Sequence, residues 1–418
     1  MENNKTPSIR FKGFTDPWEQ RKLIELTSVF TDGDWIEAKD QSDSGIRLVQ
    51  TGNVGTTEYL DKINNAKWIS EDTFQTLKCK EIYEGDILIS RLPEPAGRAC
   101  IMPNLGTKMI TAVDCTIVRT NENNDSKFLV QYLSTPSYFK IVNTFLGGGT
   151  RQRISRNNLA EIIVPTPCNI AEQAKIGAYF SQLDHLITLH QRKYNKLLNV
   201  KKSMLEKMFP KNGSNIPEIR FKGFTDPWEQ RKLVDLVISH NAGIYISKED
   251  YGTGTNVIGV GNIYDNDIFD GEIYRLGPVN DEKFLLEEND LIYGESSLVP
   301  EGIARTVCVG KNGVGSAFAW HTRRVKLDQS VINSHFATLE LNYNIDVRKY
   351  LISVSTQTAL TGMTTEGYFG VTLSLPTVEE QAHISGLFKQ LDHLITLHQR
   401  ELEKLQNIKK SMLEKMFV

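Results

Sequence analysis

The stretch QLDHLITLHQR occurs twice in this chain, at Gln182–Arg192 and at Gln390–Arg400. A second identical pair, IRFKGFTDPWEQRKL, occupies Ile9–Leu23 and Ile219–Leu233. Because both pairs recur at almost the same offset, the 418 residues form two half-chains, each with a constant start, a divergent middle and a constant end. Solenoid repeats run to about 20–50 residues, so a repeat this long predicts a tandem pair of modules instead.

Each constant end predicts a long helix. From Glu172 to Phe209 there is no proline, and apolar residues recur at spacings of four and three, which is typical of a coiled-coil seam. We expect the two helices to pair antiparallel as a spacer, and a second stripe with Val200 and Leu205 to receive partner helices. The residues that we predict for helix pairing or partner binding are Ile176, Phe180, Leu183, Ile187, Leu197, Met204, Ile384, Phe388, Leu391, Ile395, Leu405 and Met412.

The divergent middles predict mixed domains. Runs such as DILIS, CTIVRT, NVIGVG and ARTVCVG predict strands, and Lys127–Leu133 predicts a helix. At the constant start, Asp16, Pro17 and Glu19 have the spacing of a helix cap, so a short helix is expected there. The predicted fold class is α+β, with two pseudo-repeated α/β domains separated by two long antiparallel coiled-coil helices. The predicted boundaries are 1–171, 172–209, 210–379 and 380–418.

Composition and missing motifs exclude several classes of protein. The sequence has no apolar run long enough to span a membrane, and its N-terminus does not resemble a secretory signal. Five cysteines without a C-x-x-C pair favour reduced thiols in a cytoplasm and no metal site. No P-loop, H-E-x-x-H helix or G-x-S-x-G elbow occurs. Phe145–Gly149 matches the F-x-G-x-G of methyltransferase loops but has no partner motif, so catalysis by this chain is not expected.

A basic loop is the strongest candidate for nucleic-acid contact, although the chain carries a net charge of −3. In GGGTRQRISR, ending at Arg156, guanidinium and amide groups can approach guanine and adenine edges closely; the alternative is a solvated basic loop. The counterpart TGMTTEGYFG, residues 361–370, lacks arginine. If this loop contacts DNA bases, we expect it to contact different ones. The predicted DNA-binding residues are Arg91, Arg98, Arg151, Gln152, Arg153, Ser155, Ser296, Ser297, His321, Arg323, Arg324, Thr364 and Thr365.

The duplicated GFTDPWEQRKL opening, the Asn-Val and GDIL phrases, QLDHLITLHQR and the KKSMLEKMF end closely resemble the specificity subunits of bacterial type I restriction-modification systems, over essentially the whole chain. The resemblance implies two target-recognition domains, each reading half of a bipartite, asymmetric DNA sequence, with the constant helices as a ruler between them. It implies double-stranded DNA, two adenine methyltransferase (modification) subunits and restriction subunits as partners. Those partners would use S-adenosylmethionine, and ATP with Mg; the specificity chain itself would catalyse nothing.

Two alternatives to this reading remain. The first is a non-enzymatic scaffold or adaptor whose two modules bind proteins or small ligands. The second is a diverged enzyme that acts alone. Salt-sensitive binding to duplex DNA in the presence of methyltransferase subunits distinguishes the adaptor, because phosphate contacts release counterions and an adaptor makes none.

Overall fold

The computed structural model describes residues 6–147, 152–263, 269, 271–357 and 360–417, which divide into two compact units. The first unit lies within residues 1–192 and 399–418, and the second within residues 193–398. In the described part of the chain, no helix is both long and apolar enough to cross a membrane. Each unit therefore combines one divergent middle with parts of both constant ends.

The first half of the chain alternates short strands with short helices before its long helix. Its strands are β1 Glu19–Lys22, β2 Thr27–Asp32, β3 Ile46–Val49, β4 Lys67–Ile69, β5 Ile87–Ser90, β6 Ala99–Ile101, β7 Met109–Thr111, β8 Cys115–Thr120 and β9 Ile163–Thr166. Its helices are α1 Glu71–Thr76, α2 Ser126–Tyr132, α3 Pro136–Thr144, α4 Arg156–Ala160 and the long α5 Ile170–Lys207.

The second half of the chain repeats this order with additional short strands. Its strands are β10 Glu229–Lys232, β11 Val237–Ala242, β12 Tyr251–Ile258, β13 Tyr274–Leu276, β14 Leu291–Gly294, β15 Ser296–Ser297, β16 Thr306–Cys308, β17 Ala317–Phe318, β18 Thr322–Leu327, β19 Thr356–Gln357, β20 Thr361–Gly362 and β21 Thr372–Leu375. Its helices are α6 Ser334–Tyr343, α7 Ile345–Ser353, α8 Thr365–Phe369 and the long α9 Val378–Met416.

The main sheets of the two units have the same topology. The strand order is β2-β8-β5-β6 in the first unit and β11-β18-β14-β16 in the second. The registers also agree, because Leu88 pairs with Ile117 and Ile292 pairs with Arg324 at equivalent places. The predicted α+β class and pseudo-repeat are therefore confirmed, and residues of one unit can be compared position by position with those of the other.

The prediction of a short helix at the constant start is wrong. Residues Glu19–Lys22 form strand β1, which pairs antiparallel with β9 from Ile163 to Thr166. A 3-10 turn, Leu23–Leu26, follows and buries both leucines. Pairing with a distant strand and burial of the neighbouring Trp18 outweigh the local capping pattern, since propensity is a weak prior against tertiary contacts.

The two long helices run in opposite directions in each unit. In the first unit, Lys409 of α9 contacts the carboxylate of Asp184 in α5. In the second unit, the equivalent Lys201 of α5 lies 2.6 Å from Asp392 of α9. The antiparallel arrangement is confirmed, and each of these lysines forms an ion pair with the other helix.

The phenylalanine that follows each long helix completes the core of the unit built on the other half-chain. Phe417 lies among Trp18, Phe128 and Phe180, with ring centroids 6.2, 5.5 and 5.8 Å away. Phe209 lies in an equivalent cage of Trp228, Phe336 and Phe388, at 6.1, 5.9 and 6.3 Å. We call these sites the aromatic cages. Each one joins the end of one half-chain to the domain of the other.

A buried ion pair fixes the constant start against the start of the long helix in each unit. Arg10 donates two hydrogen bonds to Glu172 at 2.6 and 2.7 Å, and Arg220 donates two to Glu380 at 2.7 and 2.8 Å. The two glutamate side chains are 1% and 0% exposed. Such bidentate pairs are strongly directional, so they orient each helix relative to its own domain.

Most of the predicted seam residues belong to the domain cores. Ile176, Phe180 and Leu183 are buried in the first core, where Leu405 and Met412 pack against them; Ile384, Phe388 and Leu391 are buried in the second, where Leu197 and Met204 pack. Ile187 is half-buried and Ile395 is buried. Val200 and Leu205, expected on a free stripe, also pack against the second core. Because both side chains are half-buried there, the domain partly covers this side of the helix, and the role of the stripe in partner binding stays a prediction.

We predict that Phe417→Ala lowers the free energy of unfolding by about 3–5 kcal/mol, because it empties a buried aromatic site. Phe209→Ala should have a similar effect on the second unit. Denaturant-induced unfolding followed by circular dichroism measures both losses. Phe145→Ala is the matched control, since Phe145 is 39% exposed and its replacement should be nearly neutral. Wild-type stability in Phe417→Ala would contradict the role given to the cage.

Candidate nucleic-acid interface

Arg91 lies at the centre of an arginine–carboxylate cluster in the first unit. Its guanidinium is 3.5 Å from Asp32 and 3.7 Å from Asp114, and it donates a 2.7 Å hydrogen bond to the carbonyl of Val113. Asp32 ends β2, Asp114 immediately precedes β8, and Arg91 immediately follows β5. These three strands are neighbours in the sheet, so their polar end residues meet at one edge.

The predicted basic loop is attached to this cluster. Backbone hydrogen bonds of 3.2 and 3.0 Å between Gly147 and Arg153 close the loop, and Ile154 N–H donates to the carbonyl of Arg91 at 3.2 Å. The Arg153 guanidinium lies 3.4 Å from Asp114, and that of Arg156 lies 3.7 Å from Asp32. The structure thus brings together Arg91, Arg153 and Arg156, whereas Arg151 lies outside the described residues.

The three arginines differ in exposure and therefore in what they can do. The side chain of Arg91 is only 8% exposed, whereas those of Arg153 and Arg156 are 59% and 42% exposed. Arg153 donates a long hydrogen bond of 3.4 Å to Asp114, the Arg156 pair is longer still, and exposed pairs of this kind contribute less than about 1 kcal/mol. Arg153 and Arg156 can therefore exchange a carboxylate for a guanine edge or a phosphate at little cost.

Two further predicted residues flank these arginines. Gln152 is exposed beside Arg153. Ser155 caps α4, since its hydroxyl accepts a 3.0 Å hydrogen bond from Asn158 N–H. Its predicted contact with DNA would have to compete with that cap, whereas the Gln152 amide has no such structural role in α4.

The second unit places different chemistry at the same edge. Glu295 occupies the position equivalent to Arg91 and accepts a 2.7 Å hydrogen bond from Arg323. Arg323 also lies 3.3 Å from Nδ1 of His240, whose ring packs on Phe369 with centroids 4.6 Å apart. Burial, and then the neighbouring Arg323 guanidinium, lower the pKa of His240 from its usual value, which disfavours the charged imidazolium. Predicted residue His321 is exposed, and its ring packs on Trp320 at 3.7 Å.

Hydroxyl groups border this second edge. Ser296 and Ser297 form β15, which pairs with β20 in place of the basic loop of the first unit. The Ser297 hydroxyl donates to the carbonyl of Val299 at 2.8 Å. Thr364 caps α8 by accepting a 3.0 Å hydrogen bond from Gly367, and Thr365 is the first residue of that helix. These predicted residues therefore lie together, although two of the hydroxyls have structural bonds.

Arg98 and Arg324 are occupied by hydrogen bonds within the protein. Arg98 donates to the carbonyls of Val54, Thr51, Leu92, Pro93 and Pro95 at 2.6–3.1 Å. Arg324 is 7% exposed and donates to Asn241 Oδ1 and to the carbonyl of Leu285. Both side chains bind the protein's own backbone, so their geometry favours a structural role over the predicted DNA contact.

Sequence reasoning missed the carboxylates and the histidine of the two edges. Asp32, Asp114 and Glu295 lie at or next to strand ends and His240 lies within β11, and each contacts one of the arginines described above. Alignment of the two halves by strand could have paired Arg91 with Glu295. Within the described residues, no group of three or more His, Cys, Asp or Glu side chains could hold a metal ion.

Two equivalent domains with different polar clusters at the same sheet edge, each attached to a long constant helix, define a two-site recognition protein. A family model described as "Type I restriction modification DNA specificity domain" matches residues 15–199 and 225–407. The chain therefore belongs to the type I restriction-modification DNA specificity family and is a specificity subunit that recognises DNA sequence.

A curated relative agrees with this assignment, and a solved structure shares the fold. The chain is 22% identical over 420 residues to a protein of Methanocaldococcus jannaschii named as the specificity subunit of the type I restriction enzyme MjaX, covering 95% of this chain and 92% of that one. The crystal structure of a type I restriction-modification S subunit from M. genitalium aligns over 99% of both chains with a TM-score of 0.65 and 13% identity. That likeness supports the fold.

We predict that Arg153→Ala weakens binding to the target by about 1–3 kcal/mol and relaxes preference at one base position, because a bidentate contact to guanine is lost. Binding titrations with the target and with duplexes mutated at single positions measure both effects. Arg21→Ala is the control, since it removes the same charge from an exposed side chain of the constant start. A loss that is equal on all sequences would make Arg153 a phosphate contact.

Proposed function

We propose that this chain is the non-catalytic specificity subunit of a complex with two adenine methyltransferase subunits and with restriction subunits. In this proposal each unit reads one half of a bipartite, asymmetric target. The methyltransferase subunits use S-adenosylmethionine and the restriction subunits use ATP with Mg, whereas this chain holds no cofactor of its own. The adaptor alternative is not retained, because the family is defined by DNA specificity.

A single observation carries the division into half-sites. At one position of one fold, Arg91 is flanked by Asp32 and Asp114 in the first unit, whereas Glu295 is paired with Arg323 in the second. The exposed guanidinium groups beside Arg91, those of Arg153 and Arg156, match guanine, whereas a carboxylate such as that of Glu295 accepts from cytosine, so the two edges favour different bases. A target with two identical halves would need the same residues at both edges. The difference between the edges therefore supports an asymmetric target.

We expect that exchange of Ile24–Ala171 for the first variable segment of another family member changes one half of the methylated motif. The other half and the spacer should stay the same, because the second unit is untouched. Methylome sequencing of a strain that expresses the chimera reads both halves at once. The unmodified chain in the same strain is the control, and a change in both halves would argue for joint readout.

The surface for the methyltransferase subunits is better assigned to exposed leucines than to the buried seam. Leu186 and Leu189 are 40% and 38% exposed on α5, and the equivalent Leu394 and Leu397 on α9 are 40% and 45% exposed. Each pair lies within a copy of the same QLDHLITLHQR stretch, three residues apart on one helix face. Two identical surfaces suit two copies of one partner.

We predict that Leu186→Asp with Leu189→Asp removes one of the two methyltransferase subunits, and that all four replacements remove both. A charge in an apolar interface must be desolvated without a partner, so docking there fails. Native mass spectrometry of the co-purified complex counts the subunits. Leu60→Asp, at an equally exposed leucine of the first variable segment, is the control. Retention of both subunits by the quadruple variant would place the interface elsewhere.

A further inference from the structure

The two units display a large exposed aromatic side chain at equivalent positions. Trp35 follows the end of β2 by three residues, and Tyr245 follows the end of β11 by three residues. Their exposed fractions are 71% and 70%. Exposing rings of this size is unfavourable, and two such residues at one place in a duplicated fold indicate a shared contact.

The same rigid turn presents both rings. The N–H of Asp34 donates to the carbonyl of Thr111 at 2.8 Å, and the N–H of Ile244 donates to the carbonyl of Phe318 at 2.8 Å. A Cβ at Gly33 or Gly243 would collide with a backbone carbonyl, so both turns need glycine. The residues after the aromatics, Ile36 and Ile246, pack into small cores. The rings are therefore displayed by a fixed backbone.

Both aromatic residues follow strands that lead to the polar edges described above. Trp35 is three residues from Asp32, which contacts Arg91 and Arg156. The Tyr245 ring lies 5.5 Å from that of Trp320, which packs on His321. The aromatic position is thus close in sequence to the polar cluster in the first unit and in ring contact with a neighbour of His321 in the second, and the polar residues differ between the two units.

We propose that Trp35 and Tyr245 contact DNA directly, each stacking on a base at a step opened beside its half-site. This inference rests on the proposed function. Stacking on aromatic rings tolerates any sequence because every base has a π-face, which explains why an aromatic residue occurs in both units while the readout residues change. Side chains inserted at a base step also occur in other duplex-binding proteins. These residues provide affinity and the polar edges provide specificity.

The test uses the complex with methyltransferase subunits and duplexes with or without its methylated motif. Trp35→Ala should weaken binding about tenfold on both duplexes, since stacking contributes roughly 1–3 kcal/mol per base, whereas Trp35→Phe should bind almost as the wild type does. Tyr245→Ala and Tyr245→Phe should behave in the same way. Tyr274→Ala is the matched control, because Tyr274 is 53% exposed and lies outside this turn.

Fluorescence gives a second readout that does not depend on affinity. Saturating DNA should quench less tryptophan emission in Trp35→Phe than in the wild type, because a stacked indole is quenched. Unchanged quenching, or wild-type affinity in Trp35→Ala, would overturn the inference. Loss of a methyltransferase subunit from Trp35→Ala without DNA would also overturn it, by assigning the ring to a protein partner. Failure of the wild type to prefer its motif would instead refute the proposed function.

Discussion

The exchange of terminal phenylalanines is the constraint on which the rest of the structure depends. Phe417 closes the first aromatic cage and Phe209 closes the second, so neither recognition domain is complete without the helix of the other half-chain. That requirement fixes the opposite directions of α5 and α9. It also places the Asp184–Lys409 and Asp392–Lys201 pairs, which need that direction to form. Duplication alone would not impose any of this.

The residues that determine specificity are separate from those that stabilise the domains. The polar clusters lie beyond the ends of β2, β5 and β8 and of their equivalents, outside the apolar cores. The first unit therefore has Arg91 where the second has Glu295. The two residues have different partners, but the sheet topology is the same. Strand ends tolerate such variation because their side chains do not contribute to close packing. The scaffold is constant, and the chemistry at its edges is free to differ.

Sequence patterns were sufficient for the larger features. The repeats predicted the two modules, and the seam predicted both long helices, because apolar spacing along one helix is a local signal. The seam could not reveal that Leu183 and Leu391 face a domain core, since a core and a partner helix demand the same residues. Likewise, Arg98 and Arg153 look alike in sequence, and only the folded backbone supplies the carbonyls that occupy Arg98. Strand β1 could not be predicted from the local sequence because its partner strand lies more than a hundred residues away.

The aromatic cages also determine the order in which the two domains are completed during translation. The second unit is continuous in sequence, so a ribosome delivers all of its residues before the chain is finished. The first part of the other unit is translated before the second unit, but it lacks Phe417 until the second unit has been synthesised, and its core stays open throughout that interval. Contacts of such long sequence separation form slowly. Of the two recognition domains, the one whose translation starts first is therefore the last to be completed, which ties its DNA recognition to synthesis of the second long helix.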